Sequence, residues 1–128
     1  MIKKVAFTMY PVDLARARNF YENVLEIKVG NIYEHDVGTW VEYDLPQGGY
    51  LALTDIAKEV SPSASAGGSI AFEVENLDLM LEKLKKQNIN VLVDKIVTPG
   101  VCNLAVILDT EGNGITLHQL TKDKYIIL

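Results

Sequence analysis

The residues of this 128-residue chain best suited to chemistry are its two histidines and a few carboxylates placed in alternating apolar–polar runs. His118 stands two positions beyond Thr116, so both project from one face of an extended segment, and an imidazole there suits a general base or a group that orients a polar ligand. Glu73 occupies the equivalent face of an earlier segment, which makes His118 and Glu73 the candidate acid–base residues. Glu42 and Asp44 share that kind of face. If they converge with Glu73 they form an acidic wall that favours a cationic or amine-bearing ligand; apart, they only keep a strand face solvated. Tyr10, Trp40 and Tyr50 add flat apolar surfaces with polar edges, suited to a planar ligand or to packing at a dimer interface. Thr8, Thr54 and Thr116 add hydroxyls, and these nine residues (Thr8, Tyr10, Trp40, Glu42, Tyr50, Thr54, Glu73, Thr116 and His118) are the expected ligand-binding set.

Other chemistries fit poorly. Ser69 and Thr116 lack a His–acid relay at recognisable spacing, which argues against a nucleophilic hydrolase. Gly67-Gly68 and Gly112-Asn113-Gly114 are turn glycines with no phosphate-binding helix after them. Cys102 is the sole cysteine, has no cation beside it, and is expected to be inert. His35 falls in a His-Asp-Val-Gly turn and is expected to be solvated; Lys83, Lys85 and Lys86 form the wet face of a helix. With 12 Lys+Arg against 17 Asp+Glu the net charge is −5, which offers no basic stripe for nucleic acid. The apolar content of 48 % and charged content of 23 % are those of a globular domain, and no run is long enough to span a bilayer. The first residues carry two lysines but no long apolar stretch, so no signal peptide is expected, and the protein is expected to be soluble and cytoplasmic.

The elements that must position these residues follow from hydrophobic period. Val5, Phe7 and Met9 alternate as a strand, Pro11 ends it, and Asp13 is a good cap for a helix whose stripe is Leu14, Ala17, Tyr21, Val24 and Leu25. Extended segments at about 27–33, 39–45 and 50–54 come next. Residues 57–68 are small, polar and breaker-rich, and read as a linker. The pattern then restarts: Ile70-Ala71-Phe72 echoes Val5-Ala6-Phe7, a second helix carries Leu77, Met80, Leu81 and Leu84 and ends near Gln87-Asn88, and strands follow at about 91–97, 104–108 and 115–120. Asp-Thr-Glu-Gly-Asn-Gly at 109–114 signals a hairpin. Val5, Phe7, Met9, Val41, Tyr43, Leu51, Leu53, Phe72, Ile115 and Leu117 are expected under the helices, in a module at about 1–56, a second at about 69–120 and a tail at 121–128. The apolar Tyr125-Ile126-Ile127-Leu128 end is expected to cover a sheet edge or reach a partner.

This order resembles the glyoxalase I / bleomycin-resistance / extradiol dioxygenase superfamily, the vicinal oxygen chelate proteins. The likeness is carried by Val12-Asp13-Leu14-Ala15-Arg16-Ala17-Arg18-Asn19-Phe20-Tyr21 with Val24-Leu25, by Ile70-Ala71-Phe72-Glu73-Val74 with Asn76-Leu77, and by 109–117, where Thr110 replaces the usual proline. Glu26 stands where the family usually has glycine. The resemblance implies an α+β fold of two βαβββ modules forming a cup-shaped, half-open barrel of mixed sheet with outer helices, commonly as a homodimer. It also implies that metal-dependent members place His, Glu or Gln ligands where this chain has Ala6, Ala52, Ser69 and Thr116. Those side chains are not adequate ligands, so no cofactor and no metal are expected. A glutathione-type anion would want cations on these strands, and only Lys3 and Lys4 stand near the mouth of the cup.

The function expected is capture or sensing of a small organic molecule in a metal-free cup. The alternatives are a lyase- or isomerase-type enzyme using His118 and Glu73 or a displaced metal site, and a structural or regulatory subunit.

Overall fold

The computed structural model describes residues 1–2 and 5–121, so Lys3, Lys4 and the 125–128 tail lie outside the described residues. The chain divides into two compact units, Met1–Pro62 and Ser63–Leu128, and the division falls inside the breaker-rich stretch. Each unit runs strand, helix, then three strands. This is the α+β class with two βαβββ modules that the sequence order implies.

In the first unit, β1 (Phe7–Met9) leads to α1 (Leu14–Asn19), a π turn (Phe20–Val24), β2 (Val29–His35), β3 (Gly38–Asp44) and β4 (Tyr50–Thr54). The strands order β1-β4-β3-β2, with β1 parallel to β4 and the other pairs antiparallel. Asp13 caps α1, its carboxylate accepting from the Arg16 amide at 3.0 Å. Ladder pairing begins only at Phe7, so Val5 precedes the strand and is 82 % exposed, against its expected place in the core. Met9, Val41, Tyr43, Leu51 and Leu53 are buried as expected, and Phe7 is half-buried.

The helical segment ends in a π turn. The Leu25 amide donates to the Phe20 carbonyl five residues back at 2.9 Å, which inserts one residue per turn. Phe20 and Tyr21 both become buried, while Leu14 and Val24, expected in the apolar stripe, are half-buried. A polar network ties this turn to the sheet. Arg18 Nε donates to Glu22 Oε2 at 2.7 Å, and the Tyr43 hydroxyl donates to the same oxygen at 2.6 Å. Burial, then the bond to Glu22, pushes the Tyr43 phenol well above its usual range. Burial alone would raise Glu22, but the Arg18 and Tyr43 donors outweigh it and hold the carboxyl below the usual range.

The helical segment ends on Glu26, whose φ of 59° is left-handed. A side chain there costs about 1–2 kcal/mol, partly offset in glycine by the freedom of its unfolded chain. Glu26→Gly is therefore expected to raise stability by about 0.5–1 kcal/mol, read as a higher urea midpoint at unchanged slope. A lower midpoint would refute the strain.

In the second unit, β5 (Ile70–Glu73) leads to α2 (Leu77–Lys86), β6 (Val91–Thr98), β7 (Cys102–Leu108) and β8 (Gly114–Leu120), ordered β5-β8-β7-β6 with β5 parallel to β8. The Asn76 side chain caps α2 by accepting from Leu79 N at 3.0 Å, and Gln119 Oε1 accepts from Leu77 N at 2.8 Å. Leu77, Leu81 and Leu84 cover the sheet face made by Ile70, Phe72, Ala105, Ile107, Ile115 and Leu117, all buried. Asn88, with φ of 60°, supplies the left-handed step past the helix. The β7–β8 turn closes on buried Asp109, whose carboxylate accepts from the amides of Glu111 at 2.8 Å and Asn113 at 2.9 Å. No helix among the described residues is long and apolar enough to cross a membrane.

Candidate functional site

The parallel pairing of β5 with β8 sets Glu73 directly opposite His118 and Ala71 opposite Thr116. The ladder is extended by Val74 N, which donates to the His118 carbonyl at 2.8 Å. The two side chains meet: His118 Nδ1 lies 2.8 Å from Glu73 Oε1, and the Leu120 amide donates to Glu73 Oε2 at 2.6 Å. Both oxygens of Glu73 are thus engaged. The His118 side chain is 23 % exposed and that of Glu73 46 %, so the pair is open to a solute. The two candidate acid–base residues thus lie in direct contact.

Directly opposite residues in adjacent strands project from the same side of a sheet. Leu104 is opposite His118 and Val106 opposite Thr116; Ile96 and Val93 follow on β6. This face therefore carries a carboxylate–imidazole pair and a hydroxyl beside four aliphatic side chains. Leu104 and Val106 are half-buried, while Val93 and Ile96 are exposed. Leu104 and Val106 were missed from the sequence because β7 is apolar on both faces, and Val93 and Ile96 because register shifts at Val91/Val93 and Val93/Ile96 break the alternation of β6.

In the first unit, Trp40 is opposite Thr54 on one side and Tyr33 on the other, and its Nε1 donates to Glu42 Oε2 at 2.9 Å. Glu42 pairs with Ala52, which pairs with Thr8, and Asp44 pairs with Tyr50. Glu42 is thus both a negative charge on this face and the acceptor of the indole N–H. Asp44 lies over Gly30, where an added Cβ would sit 2.9 Å from Asp44 Oδ2. Thr8, Trp40, Glu42 and Tyr50 are half-buried. Thr54 differs from its expected role: it is fully buried, its hydroxyl donates to the Thr39 carbonyl at 2.8 Å and accepts from Ile56 N at 3.2 Å, and it closes the end of the β3–β4 ladder. Tyr10 borders a cavity of about 210 Å³ with Pro11, Val12, Asp55 and Val60. His35 ends β2, exposed, and Cys102 opens β7 as a half-buried free thiol.

The four positions where the resemblance puts metal ligands carry little donor capacity. Ala6 is exposed, Ala52 is fully buried, Ser69 is exposed and Thr116 is half-buried. Two methyl groups have no lone pair and two neutral hydroxyls are weak donors, so these four residues do not fit a divalent cation. Within either unit, among the described residues, no three of His, Cys, Asp and Glu come together as a ligand group.

Comparison with known proteins bears on the fold. The family model described as a glyoxalase-like domain matches residues 5–119. Among solved structures, TnmS3, an antibiotic binding protein from Streptomyces sp. CB03234, is similar with 22 % identity and a TM-score of 0.76, over 94 % of this chain and 99 % of that one. The fosfomycin resistance protein FosX from Listeria monocytogenes shares 16 % identity with a TM-score of 0.73, over 97 % of this chain and 98 % of that one. The trypanothione-dependent glyoxalase I of Leishmania major shares 24 % identity with a TM-score of 0.73, over 99 % and 91 %. No curated protein sequence matches the chain. At these identities the structural likeness concerns the fold.

Proposed function

Because the chain belongs to the glyoxalase-like domain family of the vicinal oxygen chelate superfamily, we propose that it captures or senses a small organic molecule without a resident metal. The observation that carries this reading is the donor set: alanine, alanine, serine and threonine stand where the resemblance puts metal ligands. What remains on the helix-free sheet faces is suited to holding a planar or cationic molecule. On the first unit's sheet Trp40 and Tyr50 offer flat surfaces, Thr8 a hydroxyl and Glu42 negative charge; on the second unit's sheet Thr116 offers a hydroxyl and Glu73 negative charge beside His118. The antibiotic-binding neighbour among the solved structures is in keeping with such a role. The protein is proposed to act as a homodimer in the cytoplasm, away from nucleic acid and membranes.

A second reading is favoured by one contact. The 2.8 Å approach of His118 to Glu73 is the geometry of an oriented imidazole, which could move a proton in a metal-free isomerase- or lyase-type step.

Elemental analysis of the purified protein, before and after incubation with zinc, nickel, manganese and iron(II) salts, separates these ideas from metal chemistry. The expected result is no stoichiometric retained ion; one tightly held ion per chain would overturn the reading. A thermal-shift screen of small aromatics and amines is expected to find ligands that stabilise the fold by about 2.7 kcal/mol at a hundred times Kd. Silence across the screen would favour a structural or regulatory subunit.

A further inference from the structure

We propose that Glu73 and the Leu120 amide together fix the tautomer of His118, making its Nε2 a hydrogen-bond acceptor for a hydroxyl-bearing, apolar ring compound seated on the helix-free face of the β5-β8-β7-β6 sheet. This rests on the ligand-binding reading above and assigns the ligand's chemistry.

The argument is one of donors and acceptors. The Leu120 N–H can only donate, and it donates to Glu73 Oε2 at 2.6 Å. A carboxylate accepts and does not donate, so the 2.8 Å contact between Glu73 Oε1 and His118 Nδ1 places the proton of the neutral ring on Nδ1. The lone pair is then left on Nε2, which makes no hydrogen bond among the described residues. A ligand satisfying it must present a donor. Around the imidazole the same face offers Leu104 directly opposite, with Val106, Val93 and Ile96 beyond, and these four carry no polar side-chain atom. A charged ammonium would lose its hydration against that shelf; a ring hydroxyl keeps one donor for Nε2 and leaves an apolar body for the aliphatic side chains. Thr116, two positions before His118, adds a rotatable hydroxyl for a second polar group.

The same logic makes Glu73→Gln a defined switch. The Gln carbonyl must face the Leu120 amide, so its NH2 faces His118 Nδ1. Nδ1 then becomes the acceptor and the ring proton moves to Nε2. The side chain keeps its length and both contacts, yet the group offered to the ligand is inverted from acceptor to donor.

Two measurements test this on the full chain. In 15N-labelled wild type, side-chain NMR at a pH where the imidazole is neutral is expected to show His118 as the Nδ1–H tautomer and Glu73→Gln as the Nε2–H tautomer; His35 is the only other histidine to assign. A wild-type Nε2–H tautomer overturns the proposal whether or not the variant folds. Titration with 2-naphthol and with 2-methoxynaphthalene is expected to show about a tenfold preference for the hydroxyl compound in wild type, lost or reversed in Glu73→Gln. Equal affinity for the two compounds, or binding of neither, overturns the ligand assignment. If the broader screen still yields ligands, capture of small molecules stands while this assignment falls; a stoichiometric metal strikes the other reading and leaves the tautomer untouched.

Discussion

Phe20→Ala is expected to destabilise the protein by about 3–5 kcal/mol, because it opens a cavity in the core at the start of the π turn. The ring is fully buried and meets Tyr21 edge-on, with centroids 5.1 Å apart and planes at 82°. Urea unfolding followed by circular dichroism measures it. Val24→Ala is the internal control, because Val24 is smaller and only half-buried and its truncation is expected to cost less. If Val24→Ala proves the costlier of the two, the helix face is wrongly drawn.

The second large effect is expected at Gly38. Its φ of 152° is glycine territory, and an added Cβ would collide with Asp55 Oδ1 while lying 3.1 Å from the backbone of Asp55 and Ile56. Asp55 Oδ1 is the acceptor for Thr39 N at 2.8 Å, so the collision strains the backbone and breaks a ladder-end bond together. Gly38→Ala should therefore cost about 2–4 kcal/mol, the sum of a strained residue and a lost part-buried hydrogen bond. Trp40, two residues on and the only tryptophan, reports the change without a label. A red-shifted emission with a lowered midpoint is expected; an unchanged midpoint would mean that Asp55 moves aside freely.

What could be read from the chain beforehand was what depends on near neighbours. Asp13 as a cap, Asn88 as the left-handed step and the 109–114 turn are local decisions, and the hydrophobic period was enough to place two helices and eight strands in order. Val5 failed because alternation says which way a side chain would point, not whether the ladder reaches it. The π turn itself was not legible, because a five-residue hydrogen bond from Leu25 to Phe20 has no signature in a 3.6-residue period. Thr54 looked like any outward hydroxyl until the Thr39 carbonyl was found to claim it. The Glu73–His118 contact was the hardest to foresee. Each residue stood out alone, but a parallel register spanning 45 positions is set by how Ile70 and Phe72 settle against Ile115 and Leu117 under α2.

Each sheet completes its ladder from its own four strands and roofs one face with its own helix. At matching ladder positions, Trp40 beside Thr54 in one copy answers to Leu104 beside His118 in the other. Such self-sufficiency lets the surface of one half change while the other keeps an intact interior. Evolution could thus confine aromatic surface to one copy and proton-handling groups to the other, with neither innovation having to be carried twice.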